Sequence, residues 1–234
     1  MLRSLLAAGL ILAATEALAQ DVTAASFGGP TTRYAHGILG DAIEHGELVM
    51  TLVSGVQRRV VLPENRVFED TEPRLFDVDG DGDREVIVVE SDIRQGARLS
   101  IYDGDGLVAA NAFIGQSNRW LSPAGIGAAD LDGDGQVELA YVDRPHLAKT
   151  LRIFRFQNGN LIPLANLPGV TNHRIGERDI AGGIRDCGRG PEIIVASADW
   201  SRVLAVRFDG NEFSGTDLGA HRGRSSFASA MACE

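Results

Sequence analysis

The chain has 234 residues, a net charge of −10, and 44% apolar and 6% aromatic residues. That is enough chain for a domain with a sizeable core. No basic run or aromatic-and-arginine stripe is present, which excludes nucleic acid and anionic membrane surfaces as expected partners; acidity of this kind suits a protein that takes up cations.

Met1-Leu2-Arg3 gives a short positive start, Leu5 to Ala14 are apolar or small, and Ala17-Leu18-Ala19 has the small-x-small pattern of a cleavage site. The expectation is a secretory signal over 1–19 of bacterial type, with delivery to the periplasm or the medium. The alternative is a membrane anchor. No later stretch approaches a membrane-spanning length, so no span is expected after cleavage, and residues 20–234 are read as one domain.

Two segments of that domain repeat. Phe76-Asp77-Val78-Asp79-Gly80-Asp81-Gly82-Asp83-Arg84-Glu85 is followed by an apolar run, as is Ala129-Asp130-Leu131-Asp132-Gly133-Asp134-Gly135-Gln136-Val137-Glu138. With the glutamate as ruler, Glu138 follows Glu85 by 53 residues, Glu192 follows Glu138 by 54, and Glu85 follows Glu47 by 38. The outer two copies have degenerate loops. The units fall at about 33–66, 74–112, 126–165 and 180–213. Tight-turn signals keep the same phase: Pro63-Glu64-Asn65, Asp103-Gly104, Asn158-Gly159 and Asp209-Gly210. Asp-Gly and Asn-Gly favour two-residue hairpins because both positions need φ > 0. No helix-period segment of useful length follows the signal. Short strands, frequent turns and 28 glycines read as all-β, and a unit of about 40–55 residues with roughly four strands is the size of a propeller blade. One unit alone cannot bury both sheet faces, whereas stacked neighbours can. The fold expected is therefore an all-β, β-propeller-like array of about four or five small antiparallel blades. A β-sandwich with acidic turns is the alternative.

The segments around 76–90 and 129–143 resemble FG-GAP/VCBS-type repeats, the β-propeller blades found in integrin-like extracellular proteins. The motif is Asp-x-Asp-x-Asp-Gly-x-x-Glu/Asp before an apolar strand. The resemblance implies propeller blades and is faint over 33–66 and 180–213. The family usually builds seven blades, whereas this chain has room for four or five.

The acidic loops suggest a metal on physical grounds as well. Two unit charges 4 Å apart repel by about 1 kcal/mol even in bulk water, so carboxylates drawn into one loop need a cation between them. Ca²⁺ accepts six to eight oxygen ligands in flexible geometry, and Mg²⁺ demands a stricter octahedron. The first predicted site comprises Asp77, Asp79 and Asp81, the carbonyl of Asp83, and Glu85. The second comprises Asp130, Asp132 and Asp134, the carbonyl of Gln136, and Glu138. An EF-hand needs glutamate at position 12, where these loops have Val88 and Tyr141. The bland alternative is plain Asp-Gly turns. The degenerate loops near Asp41 and Asp186 are expected to be metal-free, with Arg189 and His45 supplying fixed positive charge.

Cys187 and Cys233 are expected to pair in an oxidising compartment, with two free thiols as the alternative. The five histidines lack metal spacing, Cys187 with His173 is a weak nucleophile pair, and Ser201 lacks a Gly-x-Ser-x-Gly elbow. The expectation is therefore a non-enzymatic, calcium-stabilised binding or scaffold module with a protein or glycan partner. The alternative is an enzyme or enzyme accessory acting on envelope or extracellular polymers.

Overall fold

The computed structural model describes residues 20–34 and 36–234; the expected signal segment lies outside the described residues. These form antiparallel sheets. The first sheet holds β1 (Val22–Thr31), β2 (Glu44–Leu52), β3 (Gln57–Val61), β4 (Arg66–Phe68), β5 (Arg74–Phe76), β6 (Glu85–Asp92), β7 (Gly96–Asp103) and β8 (Gly106–Ala110). Its order is β1-β2-β4-β6-β7-β8, with β3 beside β2 and β5 beside β6. The second holds β9 (Leu121–Ala129), β10 (Glu138–Asp143), β11 (Thr150–Gln157) and β12 (Asn160–Pro168) in reverse chain order. The third holds β13 (Val170–Thr171), β14 (Gly183–Asp186), β15 (Pro191–Ser197), β16 (Arg202–Phe208) and β17 (Phe213–Ala220). A short helix, α1 (Arg224–Met231), follows.

The apolar runs after the acidic loops are continuous because both faces of these strands are buried. On β6, Val86 and Val88 pack with Leu48, Met50 and Phe68, whereas Ile87 and Val89 pack with Leu139, Tyr141 and Trp120. On β10, Ala140 and Val142 turn the other way, toward Ile193 and Val195 of β15. On β15, Ile194 and Ala196 face Phe227 and Ala230 of α1. Successive side chains of a strand point to opposite faces, so each run serves two neighbouring cores. A strand that lacked a neighbour on one face would leave those valines and isoleucines in water, at about 1.5–3 kcal/mol for each large side chain.

Several sequence expectations shift in detail. Asn158-Gly159 is the two-residue turn of the β11–β12 hairpin, with φ of 51° and 73°. The turn expected at Asp103-Gly104 is instead centred on Gly104-Asp105, because Asp103 pairs with Gly106. Asp209 opens a four-residue loop in which its Oδ1 accepts the amides of Asn211 and Glu212. Glu47 does not start a strand. β2 begins three residues earlier, at the buried Glu44, so the ruler was misplaced in the first unit. The helix α1 was not expected. It is a single eight-residue segment, too short to show a period.

Candidate metal centres

Each acidic loop sits immediately before a central strand, and local hydrogen bonds curl it. In the first, Asp77 accepts the amides of Gly80 (2.7 Å) and Gly82 (3.1 Å), Asp79 accepts that of Asp81 (3.3 Å), and Asp81 accepts that of Asp83 (2.8 Å). Gly80 and Gly82 have φ of 77° and 98°, a region that side chains disfavour. Glu85, anchored at the start of β6, reaches back to accept the amide of Val78 at 2.9 Å. The second loop repeats the pattern. Asp130 accepts Gly133 and Gly135, Asp132 accepts Asp134, Asp134 accepts Gln136, and Glu138 accepts Leu131.

The outcome is two matching groups. Asp77, Asp79 and Glu85 each offer a carboxylate oxygen within 4.8 Å of the others, as do Asp130, Asp132 and Glu138. The predicted set is thus brought together only in part. Asp81 and Asp134 stay outside these groups, and their side chains hold the loop backbone. In the first loop the Asp83 side chain is itself buried, and its Oδ1 has no hydrogen-bond partner. Gln136, at the corresponding place, lies at the surface with its amide nitrogen 3.3 Å from Asp134. The all-oxygen donor set, with an orphaned buried carboxylate oxygen beside it, fits a hard cation.

The two groups differ electrically. Burial, reinforced by the charges of Asp79, Asp81 and Asp77 and opposed by the Val78 amide, pushes Glu85 up to about 7. Burial and the charge of Asp81 likewise raise Asp79. No basic side chain is paired with this loop's clustered carboxylates among the described residues. In the second loop Arg155 reaches three of the four carboxylates, at 3.0 Å from Asp132, 2.9 Å from Asp134, and in contact with Glu138. Burial still raises Glu138, against the hydrogen bond from Arg155. Arg155 faces Glu138 directly across the β10–β11 pair, and sequence reading missed it. At the corresponding place on β7 stands Asp103, after Tyr102, the partner of Val86.

The third unit carries the substitution further. Glu192 is bracketed by Arg185 (2.7 Å) and Arg207 (3.2 Å). The expectation that Arg189 supplies the charge is corrected: Arg189 contributes backbone groups, its amide donating to Asp186 at 3.1 Å and its carbonyl accepting from Arg207 at 2.5 Å. His45 does not do so in the first unit either. It stacks on Phe27 at 5.6 Å, and burial lowers its pKa. The arginines stand 17 residues after Glu138 and 15 after Glu192, so no fixed offset from the glutamate reveals them. Cys187 and Cys233 form a disulfide with a Cα–Cα distance of 5.8 Å.

Residues 77–141 match the family model of the FG-GAP-like repeat, so the resemblance read from the motif holds over that segment, which contains both loops. No curated protein matches the sequence. Among solved structures, the crystal structure of the exotype rhamnogalacturonan lyase YesX is similar, with 15% identity and a TM-score of 0.48 over 87% of this chain. The chain spans about half (49%) of the length of that one. The expectation of a non-enzymatic chain is corrected at this point: the similar structure is an enzyme, and the exclusion of catalysis is withdrawn. At this identity and TM-score the likeness assigns no activity.

Proposed function

We propose that this chain is an exported, calcium-stabilised β-repeat module in which residues 20–234 form one propeller-like array of about four small blades. The observation that carries the reading is the duplication of one carboxylate geometry at the starts of β6 and β10. Asp77, Asp79, Asp81 and Glu85, with the carbonyl of Asp83, hold the first ion. Asp130, Asp132, Asp134 and Glu138, with the carbonyl of Gln136, hold the second. When bound, calcium neutralises the loop carboxylates and fixes the loops on which the central strands begin. Its role is structural, and the module binds a protein or glycan partner through its loops. The disulfide supports an oxidising destination, and no helix among the described residues is long and apolar enough to cross a membrane.

Thermal unfolding tests this. With free calcium at ten times the dissociation constant, each site adds about 1.4 kcal/mol. Two sites in a chain of this size raise the Tm by roughly 5–10 °C over the sample in EGTA. Magnesium at the same concentration gives a smaller rise. An equal Tm in calcium and in EGTA defeats the proposal.

A further inference from the structure

The opposite end of β10 from its metal loop leads into a second concentration of chemistry. Connections from all three sheets converge there around a cavity of about 330 Å³. Its polar lining is His36, Arg119, Arg144 and His146, with Asn118, and no carboxylate lines it among the described residues. In a chain of net charge −10, that selection of side chains is a local reversal of sign. Ile38, Leu147 and Ile175 add an apolar wall and rim, and Leu147 and Ile175 are 63% and 70% exposed.

The polar groups are held in defined states by partners behind them. Nδ1 of His36 lies 2.5 Å from Oε1 of Glu69, a fully buried carboxylate that also accepts Ser91, which leaves Nε2 as the free ring nitrogen. His173 is buried, and its Nε2 is 2.8 Å from the carbonyl of Glu177. A carbonyl only accepts, so that nitrogen carries the proton and Nδ1 of His173 is an acceptor. Nε2 of His146, 3.2 Å away, therefore donates to it, and His146 is left with an unprotonated Nδ1. Burial and the neighbouring His173 push His146 down to about 4, in keeping with a neutral ring. Arg144 is spent on Asp143, at 2.7 Å. Arg119 has no carboxylate partner among the described residues, and its guanidinium donates only to the carbonyls of Asn118 (2.8 Å) and Ser117 (3.5 Å).

We infer that this cavity is a binding site for a small hydroxy-carboxylate, with the guanidinium of Arg119 receiving the carboxylate and the Nδ1 of His146 accepting from the hydroxyl. One uncompensated cation matches a monoanion, and a planar fork matches a carboxylate. A doubly charged phosphate finds no second free cation among the described residues that line the cavity. The apolar rim receives the body of the ligand, as in small-molecule pockets generally. The site deepens the binding-module reading but does not rest on the calcium loops.

Titration calorimetry with mandelate, which carries a carboxylate, a hydroxyl and an apolar ring, tests it in millimolar calcium. The expected result is saturable millimolar or tighter binding, weakened about tenfold or more in Arg119→Ala. The neutral mandelamide does not bind. Leu147→Trp, which fills the exposed mouth, abolishes binding without moving the Tm. Absence of mandelate binding, undiminished binding in Arg119→Ala or in Leu147→Trp, or equal binding of mandelamide overturns the inference. Tighter binding of phenyl phosphate overturns the carboxylate assignment. Failure here with an intact calcium response of the Tm leaves the metal proposal standing, and mandelate binding with a calcium-blind Tm does the reverse.

Discussion

Arg155 sets the two acidic loops apart. A guanidinium among Asp132, Asp134 and Glu138 stabilises the loop without metal and competes with a cation when one is offered. Replacing it by methionine removes both effects. Arg155→Met is therefore expected to raise calcium affinity at the second loop about tenfold, because the ion no longer displaces a fixed charge. In EGTA the same variant loses about 1–3 kcal/mol, since three clustered carboxylates are left without a counter-charge. Calcium titration and denaturation in EGTA must move in these opposite directions; a drop in both would show Arg155 to be a support of the metal site. Glu44 offers a second test. Burial, added to by the charges of Glu69, Asp41 and Asp70, pushes it up to about 9 from an ordinary 4.5. Between those values the folded chain keeps a proton that the unfolded chain has released, so stability falls as the pH rises through that window. Glu44→Gln removes the dependence. The variant should match wild type near pH 4.5 and exceed it by on the order of 1–2 kcal/mol near pH 9; parallel curves in the two proteins would refute the assignment. At this scale the sequence showed the metal-loop acids, because a carboxylate every second residue is a local pattern. It hid Arg155, Glu44 and the His36–Glu69 pair, which meet only through strand register and long loops.

The hairpins and their apolar runs were legible as elements for a simple reason: strand, turn and acidic loop each carry a short-range signal. What depended on distant partners was not. The alternating burial that makes β6, β10 and β15 apolar on both faces follows from a neighbour on each side, and the sequence records it only as an unbroken run. The helix α1 is the extreme case. It has no side-chain cap, no acidic residue in its first turn and no basic residue in its last, and eight residues alone are marginal in water. It is held by Phe227 and Ala230 against β15, by Arg185 donating to the carbonyl of Ala230, and by the Cys187–Cys233 disulfide just beyond it. The bridge closes a span of 46 residues, for which loop entropy gives a stabilisation of about 2–4 kcal/mol. Replacing both cysteines by serine should lower stability by that amount and open the segment after Phe227 to limited proteolysis. A double variant with the stability and cleavage pattern of wild type would mean that packing alone docks the helix.

Across the whole molecule, the acidic loops lie where one unit meets the next. Val78, Asp79 and Gly80 of the first loop share a cleft of about 440 Å³ with Asn158 and Gly159 at the turn of the β11–β12 hairpin. The second loop stands in the same relation to the third sheet: a Cβ on Gly210, in the β16–β17 turn, would sit 3.0 Å from Asp132 Oδ2. Each loop thus abuts the hairpin of the following unit, so an ion that stiffens a loop also braces its neighbour. In a stacked array, stability is close to a sum of unit and interface contributions, so loosening one interface acts locally before it acts globally. Hydrogen exchange with mass readout separates the two interfaces. Removing calcium should speed exchange in both hairpin turns, around 156–161 and 208–213. Asp130→Asn in calcium should speed 208–213 most, with a smaller effect at 156–161, because Gly135, Gln136 and Val137 of the second loop also line the first cleft while Val78, Asp79 and Gly80 stay in place. Asp77→Asn should spare 208–213 and speed 156–161. If either variant accelerated exchange evenly along the chain, the loops would be supports of the whole fold and not clamps between neighbours.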